Sequence, residues 1–328
     1  MSDEIEIRAP TPDDLPAIAE LYVAVKGRAR PAVFDRWRLF DTPWGDSLAL
    51  MALDGGRCVS LAVVWPAELR VGDERVLGGQ GMDAVTHPDY RNRPRLFFTI
   101  TRRLRDSLGA RGIDVYFTFP NTRSIKILRV TGGTYLGEVG AWGVDIARRH
   151  KLSAPFRSRR TELIARDRNG LAEIVELASA VADPATIGVN KTATWLEWRY
   201  SEASCEQYVW LALHEGGRLT AAALLGERDP AAWGPDFQGL VRIHELFAIG
   251  EPAAAALLSG VVGHVARRGG RKVDILVKQP PLERAVERAG FGRETPRPMT
   301  AFVTREGLPL DPYDFAHWRV ISGDMDFF

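Results

Sequence analysis

Only two cysteines occur in the 328 residues, Cys58 and Cys205, far apart and in no metal-ligand spacing. A disulfide framework is therefore excluded, and buried thiols in a reducing cytosol account for both. Histidine is scarce as well, at 6 residues, and no His/Cys constellation has the spacing of a metal site. An excess of charge of either sign is missing: 43 Lys and Arg stand against 42 Asp and Glu, for a net charge of +1. That balance gives no global basic field for nucleic acid or a membrane surface, although local basic patches stay open. No apolar run approaches the roughly 20 residues of a membrane-spanning helix. The first residues, Met1-Ser2-Asp3-Glu4-Ile5-Glu6, are acidic and alternating, which argues against a signal peptide. A cytoplasmic protein is the expectation. What is present is ordinary for a globular chain, 45% hydrophobic and 26% charged, and the length favours two domains.

Along the chain, Thr11-Pro12-Asp13-Asp14 reads as a helix start, with Pro12 at the first helical position and acids in the first turn. A second helix is expected over residues 32–40. Strands follow over 47–53 and 58–66, joined by the Asp54-Gly55-Gly56-Arg57 turn. A strand over 76–85 leads into a helix reaching about Leu108. Then come a strand over 113–119, a helix starting at Pro120-Asn121, and a final strand pair over 135–146. The basic, polar stretch 148–160 reads as a linker. The same element order then repeats: strand, helices near 171–182 and 194–200, strands over 208–213, 218–227 and 241–249, a helix over 253–268, a strand over 273–277 and a helix over 282–289. The expectation is a tandem repeat, with one unit over 1–150 and the other over 151–328. A single larger α/β domain is the alternative.

The densest chemistry lies in Val85-Thr86-His87-Pro88-Asp89-Tyr90-Arg91-Asn92-Arg93-Pro94-Arg95-Leu96. An apolar run ends in a Pro-containing turn, three alternating arginines follow, and a helix begins. Free backbone N–H groups and the positive end of the helix dipole make such a start an anion site. Arginine adds planar charged donors, and each charge-assisted bond to phosphate is worth roughly 1.5–3 kcal/mol. Pro94 cannot donate but suits the first helical position. Leu96 stands where a close backbone approach would favour a small residue. Upstream, Gly78, Gly79 and Gly81 suggest a bulge or a close ligand approach. Asp83 is the only ionisable residue of that strand, and a carboxylate in an apolar strand is costly unless paired or functional. A salt bridge to an arginine is the equal alternative. His87 is expected to cap the loop, and Asn121 to cap the next helix.

The stretch resembles the acyl-CoA loop of the GNAT (GCN5-related N-acetyltransferase) superfamily, roughly V-x-P-x-Y-[R/Q]-x-x-G-x-[G/A]. Val85, Pro88, Tyr90 and Arg91 match, while Pro94 and Leu96 depart from the small residues of the pattern. The element order also resembles that fold, so the resemblance implies an α/β (α+β) class with tandem GNAT-like folds. Each would be a mixed, mostly antiparallel sheet with helices on both faces. It implies acetyl-CoA, or another acyl-CoA, as cosubstrate, held by Arg91, Asn92, Arg93, Arg95 and Leu96 in the loop. Ala84 and Val85 would contact pantetheine through the main chain, with Asn121 and Ser124 near the thioester arm. The bulged strand would polarise the thioester carbonyl. Asp83, or water, would be the general base. The usual tyrosine acid lies seven residues after the Asn, where this chain has Leu128. Tyr135 takes the acid role in this reading, with Tyr116 the other tyrosine nearby. No metal is required.

The second half lacks this equipment. Gly250-Glu251-Pro252 replaces the arginine loop, and Glu251 would repel pyrophosphate. Trp195, Trp198, Arg199 and Tyr200 can line an acceptor cleft or pack a helix on its own sheet. The acidic end with Phe327-Phe328 reads as a docked apolar tail, a terminal carboxylate base being the other option. The implied function is acyl transfer, acetyl first, from CoA to an amine of a small molecule or sugar in a bacterial protein. No nucleic-acid or membrane partner is expected, and a homodimer is compatible with the sequence. The alternatives are a GNAT scaffold that binds CoA or a protein without catalysis, and a FemABX-type aminoacyl transferase.

Overall fold

The computed structural model describes residues 5–121, 124–146, 162–164 and 168–325. The expected linker over 148–160 lies outside them, as does Phe328. The strands are β1 (Glu6–Arg8), β2 (Leu48–Asp54), β3 (Arg57–Val71), β4 (Glu74–Thr86), β5 (Val115–Thr118), β6 (Thr134–Asp145), β7 (Glu162–Ile164), β8 (Ile187–Val189), β9 (Glu206–Glu215), β10 (Arg218–Arg228), β11 (Leu240–Ala248), β12 (Lys272–Lys278), β13 (Gly292–Arg293), β14 (Arg297–Val303) and β15 (Val320–Ile321). The helices are α1 (Leu15–Lys26), α2 (Ala32–Phe40), α3 (Pro94–Asp106), α4 (Ser124–Val130), α5 (Arg168–Ala180), α6 (Ala193–Arg199), α7 (Pro230–Trp233), α8 (Gly250–Arg267) and α9 (Pro280–Arg288). Among the described residues no helix is long and apolar enough to cross a membrane.

Two compact units form. Met1–Gly137 with Pro298–His317 makes the N-terminal unit, and Glu138–Arg297 with Trp318–Met325 the C-terminal unit. This departs from the expected cut between 150 and 151. Strand pairing is the reason. β14, late in the chain, pairs antiparallel with β5 in the first unit. The expected strand pair over 135–146 is instead the single strand β6, and Gly140–Asp145 of it pairs antiparallel with β12 in the second unit. Side-chain alternation records which face a strand buries, not which edge it joins, so this exchange leaves no local trace in the sequence.

The N-terminal sheet runs β1-β2-β3-β4-β5-β14 and is antiparallel except at β4–β5. Helices cover both faces. On one side Leu96, Ile100 and Leu104 of α3 pack with Val59, Ala62 and Val64 of β3. On the other, Trp37 of α2 meets Trp65 edge-on, ring centroids 5.6 Å apart. Val64 and Trp65 are neighbours, so strand alternation alone places them on opposite faces. At the N-terminus, Asp14 closes the expected helix start by accepting the Thr11 amide at 2.7 Å, although Pro12–Asp14 forms a 3₁₀ turn before α1.

The C-terminal sheet runs β7-β9-β10-β11-β12-β6, again antiparallel apart from one pair, β11–β12. Leu257, Leu258 and Val261 of α8 and Leu282 and Val286 of α9 bury their apolar faces against Ala223, Ile243 and Ile275 of the sheet. Each parallel pair is joined by one crossover helix, α3 in the first unit and α8 in the second. The α/β class with mostly antiparallel sheets is thus the observed architecture.

Candidate active site

The parallel pair β4–β5 stays in register from Gly78↔Val115 to Gly81↔Thr118, where β5 ends. β4 continues to Thr86, so a crevice opens where the strands part, the place where open α/β sheets receive ligands. Thr118 Oγ1 donates to Gly81 O at 2.7 Å and seals the last pair.

The bulge is not at the glycines. Val64, Pro66 and Ala67 pair regularly with Gly81, Gly79 and Gly78. The register slips one step later: Val63 faces Met82 and Leu61 faces Val85, so Asp83 and Ala84 together oppose Ala62. Asp83 takes φ 48°, a left-handed conformation that Asp tolerates better than most residues. The glycines make room for neighbours instead. A Cβ at Gly79 would press on Val64, and one at Gly81 would lie 2.6 Å from Tyr116 Cζ.

Asp83 is tied down. Its Oδ2 lies 2.9 Å from Arg30 Nη1 and 2.6 Å from Arg38 Nη2, and the three side chains are 6%, 6% and 1% exposed. Arg30 also pairs with buried Asp35, and its guanidinium lies 3.3 Å from the centre of the Tyr22 ring. Burial works against the Asp83 carboxylate, but the two guanidinium groups outweigh it and hold its pKa below the ordinary value. A carboxylate so held is a weak base. The expectation of Asp83 as general base meets the paired alternative here. Arg30, Arg38 and Asp35 are the residues that sequence reasoning missed. The available signal was Asp83 itself, since a lone acid in an apolar strand requires a cation.

Beyond the bulge the loop is ordered by its own contacts. His87 is buried, accepts the Asp89 amide on Nδ1 at 3.2 Å and packs edge-on against Tyr90, the capping role expected of it. Tyr90 donates its hydroxyl to Asp54 Oδ2 at 2.5 Å, and the Arg93 guanidinium sits 4.9 Å from the Tyr90 ring centre. Turn bonds already use the amides of Tyr90 (to His87 O), Arg91 (to Pro88 O), Arg93 (to Tyr90 O) and Leu96 (to Arg93 O), at 2.9, 3.2, 3.0 and 3.0 Å. This removes the Arg93 and Leu96 amides from the expected donors. Asn92 and Arg95 take no part in those turns. Pro94 stands at the first position of α3, where a missing N–H costs nothing.

Leu96 does not crowd the loop. Its side chain is 7% exposed and points into the α3 core. Arg91, Arg93 and Arg95 are exposed. A hollow of about 500 Å³ lined by Ile5, Ile7, Arg93, Arg95, Leu96 and Thr99 opens beside them. Exposed guanidinium groups at a helix start, with the one bulky residue turned inward, fit an anionic cofactor.

Asn121 caps α4, its Oδ1 accepting Ser124 N at 2.9 Å and Ser124 Oγ at 3.1 Å. The two expected residues are therefore brought together. Leu128 accepts the Gly133 amide through its carbonyl and offers no proton. Tyr135, the second residue of β6, is 36% exposed, with the Arg129 guanidinium 5.0 Å from its ring centre. Tyr116 lies instead beside Gly81, at the mouth of the crevice, with its pKa pushed up to about 12 by burial.

In the C-terminal unit, Glu251 accepts from Arg284 Nε at 2.9 Å and Arg288 Nη1 at 2.8 Å, at the start of α8. Trp195, Trp198, Arg199 and Tyr200 are all buried, the packing alternative for that cluster.

Parting parallel strands, a bulge and a basic helix start make up the candidate site, and residues 6–135 match the acetyltransferase (GNAT) domain family. Residues 6–135 are thus similar to a GNAT domain, and the overall fold is GNAT-like. Solved structures agree on the fold. A GCN5-related N-acetyltransferase from Anabaena variabilis superposes with a TM-score of 0.66 at 10% identity, covering 92% of this chain and 73% of its own. Another from Sphaerobacter thermophilus gives 0.58 at 18% identity, covering 94% and 99%. One from Kribbella flavida gives 0.60 at 15%, covering 92% and 71%. No curated protein sequence matches the chain.

Proposed function

We propose that the N-terminal unit is an acyl-CoA-dependent N-acyltransferase acting on an amine, with acetyl the first acyl group to test. The observation that carries this reading is the bulge at Asp83–Ala84, where β4 leaves β5 just ahead of the arginine loop. Arg91, Arg93 and Arg95 would hold the phosphates, with the Asn92 and Arg95 amides. The backbone of Ala84 and Val85 would bind the pantetheine arm, as an added strand binds a free sheet edge. Acyl-CoA supplies the activated acyl group. A main-chain N–H at the bulge then stabilises the developing oxyanion without a side chain. Tyr116, whose hydroxyl lies beside Gly81, would give its proton to the departing CoA sulfur as the C–S bond breaks. Asp83 fixes the bulge as an ionised anchor, and a solvent water relays the acceptor's proton.

A second reading has its own support. Leu128 in place of an acid and Asp83 held by two arginines also suit a domain that binds CoA without turnover. Calorimetry with acetyl-CoA, paired with thiol release across an amine panel, separates the two. Binding with turnover is the expected result. Binding alone establishes the second reading, and no binding overturns both.

A further inference from the structure

The C-terminal unit has the same parting of parallel strands, but there it is filled. β11 and β12 keep register only from Leu240↔Lys272 to Arg242↔Asp274. Beyond that point β15 enters and pairs antiparallel with Val277 and Lys278 of β12. The other edge of β12 is already taken by β6. Ser322 Oγ accepts the Leu276 amide at 2.8 Å, so another β12 donor is met by the inserted segment.

The turn that follows is gripped from both sides. Lys191 Nζ lies 2.6 Å from Glu245 Oε1 on β11 and 2.5 Å from Asp324 Oδ1. Arg199 donates from Nε to Gly323 O and from Nη2 to Met325 O, each at 3.1 Å. Asp324 Oδ2 accepts the Ile321 amide at 2.9 Å and closes the turn. Gly323 has no room for a side chain. A Cβ there would lie 2.9 Å from His244 O and closer still to the Tyr200 hydroxyl and Glu245 Oε1.

We propose that the β11–β12 split is a peptide-docking site whose ligand is this chain's own segment Trp318–Met325. Its parts are those of strand-addition recognition: a sheet edge binds main chain, and pockets read side chains. Arg199 reads two carbonyls, Lys191 reads the Asp324 carboxylate, and the crowding at Gly323 rejects any larger residue. In the N-terminal unit, by contrast, no described strand pairs with β4 beyond Gly81 on its β5 side. One split is open to a ligand from solution, and the other is occupied by the polypeptide.

The test keeps the full chain intact through folding. A specific protease site is inserted between the exposed residues Tyr313 and Asp314, and the purified protein is then cleaved. The C-terminal fragment is expected to stay bound in gel filtration. Excess synthetic peptide spanning 314–325 should displace it. Peptides carrying Gly323→Ala or Asp324→Asn should need at least about 10-fold more, a difference of roughly 1.4 kcal/mol. Release of the fragment on cleavage alone would overturn the proposal. So would failure of the unmodified peptide to displace it, or equal displacement by the Gly323→Ala peptide.

Discussion

Replacing Arg38 by Met separates the anchoring role of Asp83 from a catalytic one. Met fills much of the same volume but carries no charge. The native cluster holds two cations, Arg30 and Arg38, and two carboxylates, Asp35 and Asp83, all buried. Removing one cation leaves an uncompensated buried charge, which costs about 3–5 kcal/mol. At roughly 2–4 °C per kcal/mol for a unit of this size, the melting temperature should fall by about 6–20 °C. Asp35, whose carboxyl burial already pushes up, is the group expected to take up a proton in the variant. The pH dependence of the native protein has a definite sign. The folded-state pKa of Asp83 is depressed, so its contribution is complete above its unfolded value, near 3.9, and is lost as pH falls below it. Between pH 6 and 9 Asp83 therefore adds nothing to the slope of stability or rate. Asp83→Asn should lower the melting temperature and the rate together, without moving the rate profile along the pH axis. The assays are thermal melting at pH 7 and thiol release from pH 6 to 9. A melting temperature for Arg38→Met within about 2 °C of wild type would refute the anchor. An Asp83→Asn variant of unchanged stability with a profile shifted to higher pH would restore Asp83 as the base.

Charge reversal at Arg93 or Arg95 should weaken acetyl-CoA binding by roughly 1.5–3 kcal/mol each, about 10- to 150-fold, read by calorimetry as one site per chain. Unchanged affinity in the double variant would remove the loop from the site. Tyr116→Phe should reduce turnover more than Tyr135→Phe, and the reverse order would return the acid role to Tyr135. Gly81→Ala should lower both stability and turnover by displacing the Tyr116 ring. Melting of the Gly81→Ala/Tyr116→Phe pair tests whether the clash is with the hydroxyl, because removing it should recover part of the loss.

Much of the site was legible because its signals are local. The β4–α3 turn announces itself through Pro88, Pro94 and alternating arginines, and the turn and the helix start fell where sequence placed them. Asn121 and Ser124 were likewise legible, since a cap and its partner lie three residues apart. What sequence placed wrongly depends on pairing at a distance. Three glycines in β4 suggested the bulge, but they serve the packing of Leu69, Val64 and Tyr116. The slip itself falls at Asp83, where the side chain must reach Arg30 and Arg38, 53 and 45 positions earlier in the chain. The exchange of β6 and β14 between units was invisible for the same reason. Either strand's alternation would suit either sheet.

The two units also share one feature of the candidate site and differ in the others. The register of β11 against β10 slips as that of β4 against β3 does, between Ile243 and Glu245. Beside that slip sits a buried acid, Glu245, which shares Lys191 with Asp324, where Asp83 has two arginines. A bulge that carries a carboxylate paired with a cation from outside the strand thus occurs where no arginine loop follows. It is a device for fixing the bend of the strand, because a buried pair is strongly destabilised when one member is lost. The proposed chemistry then rests on what the bend leads into. After β4 it leads to exposed Arg91, Arg93 and Arg95 and an open strand edge. After β11 it leads to Glu251, bonded to two arginines, and to a crevice closed by Trp318–Met325. An acid at the bulge is therefore poor evidence of a base in either unit. The open edge and the cationic helix start are what make the N-terminal unit the one to assay.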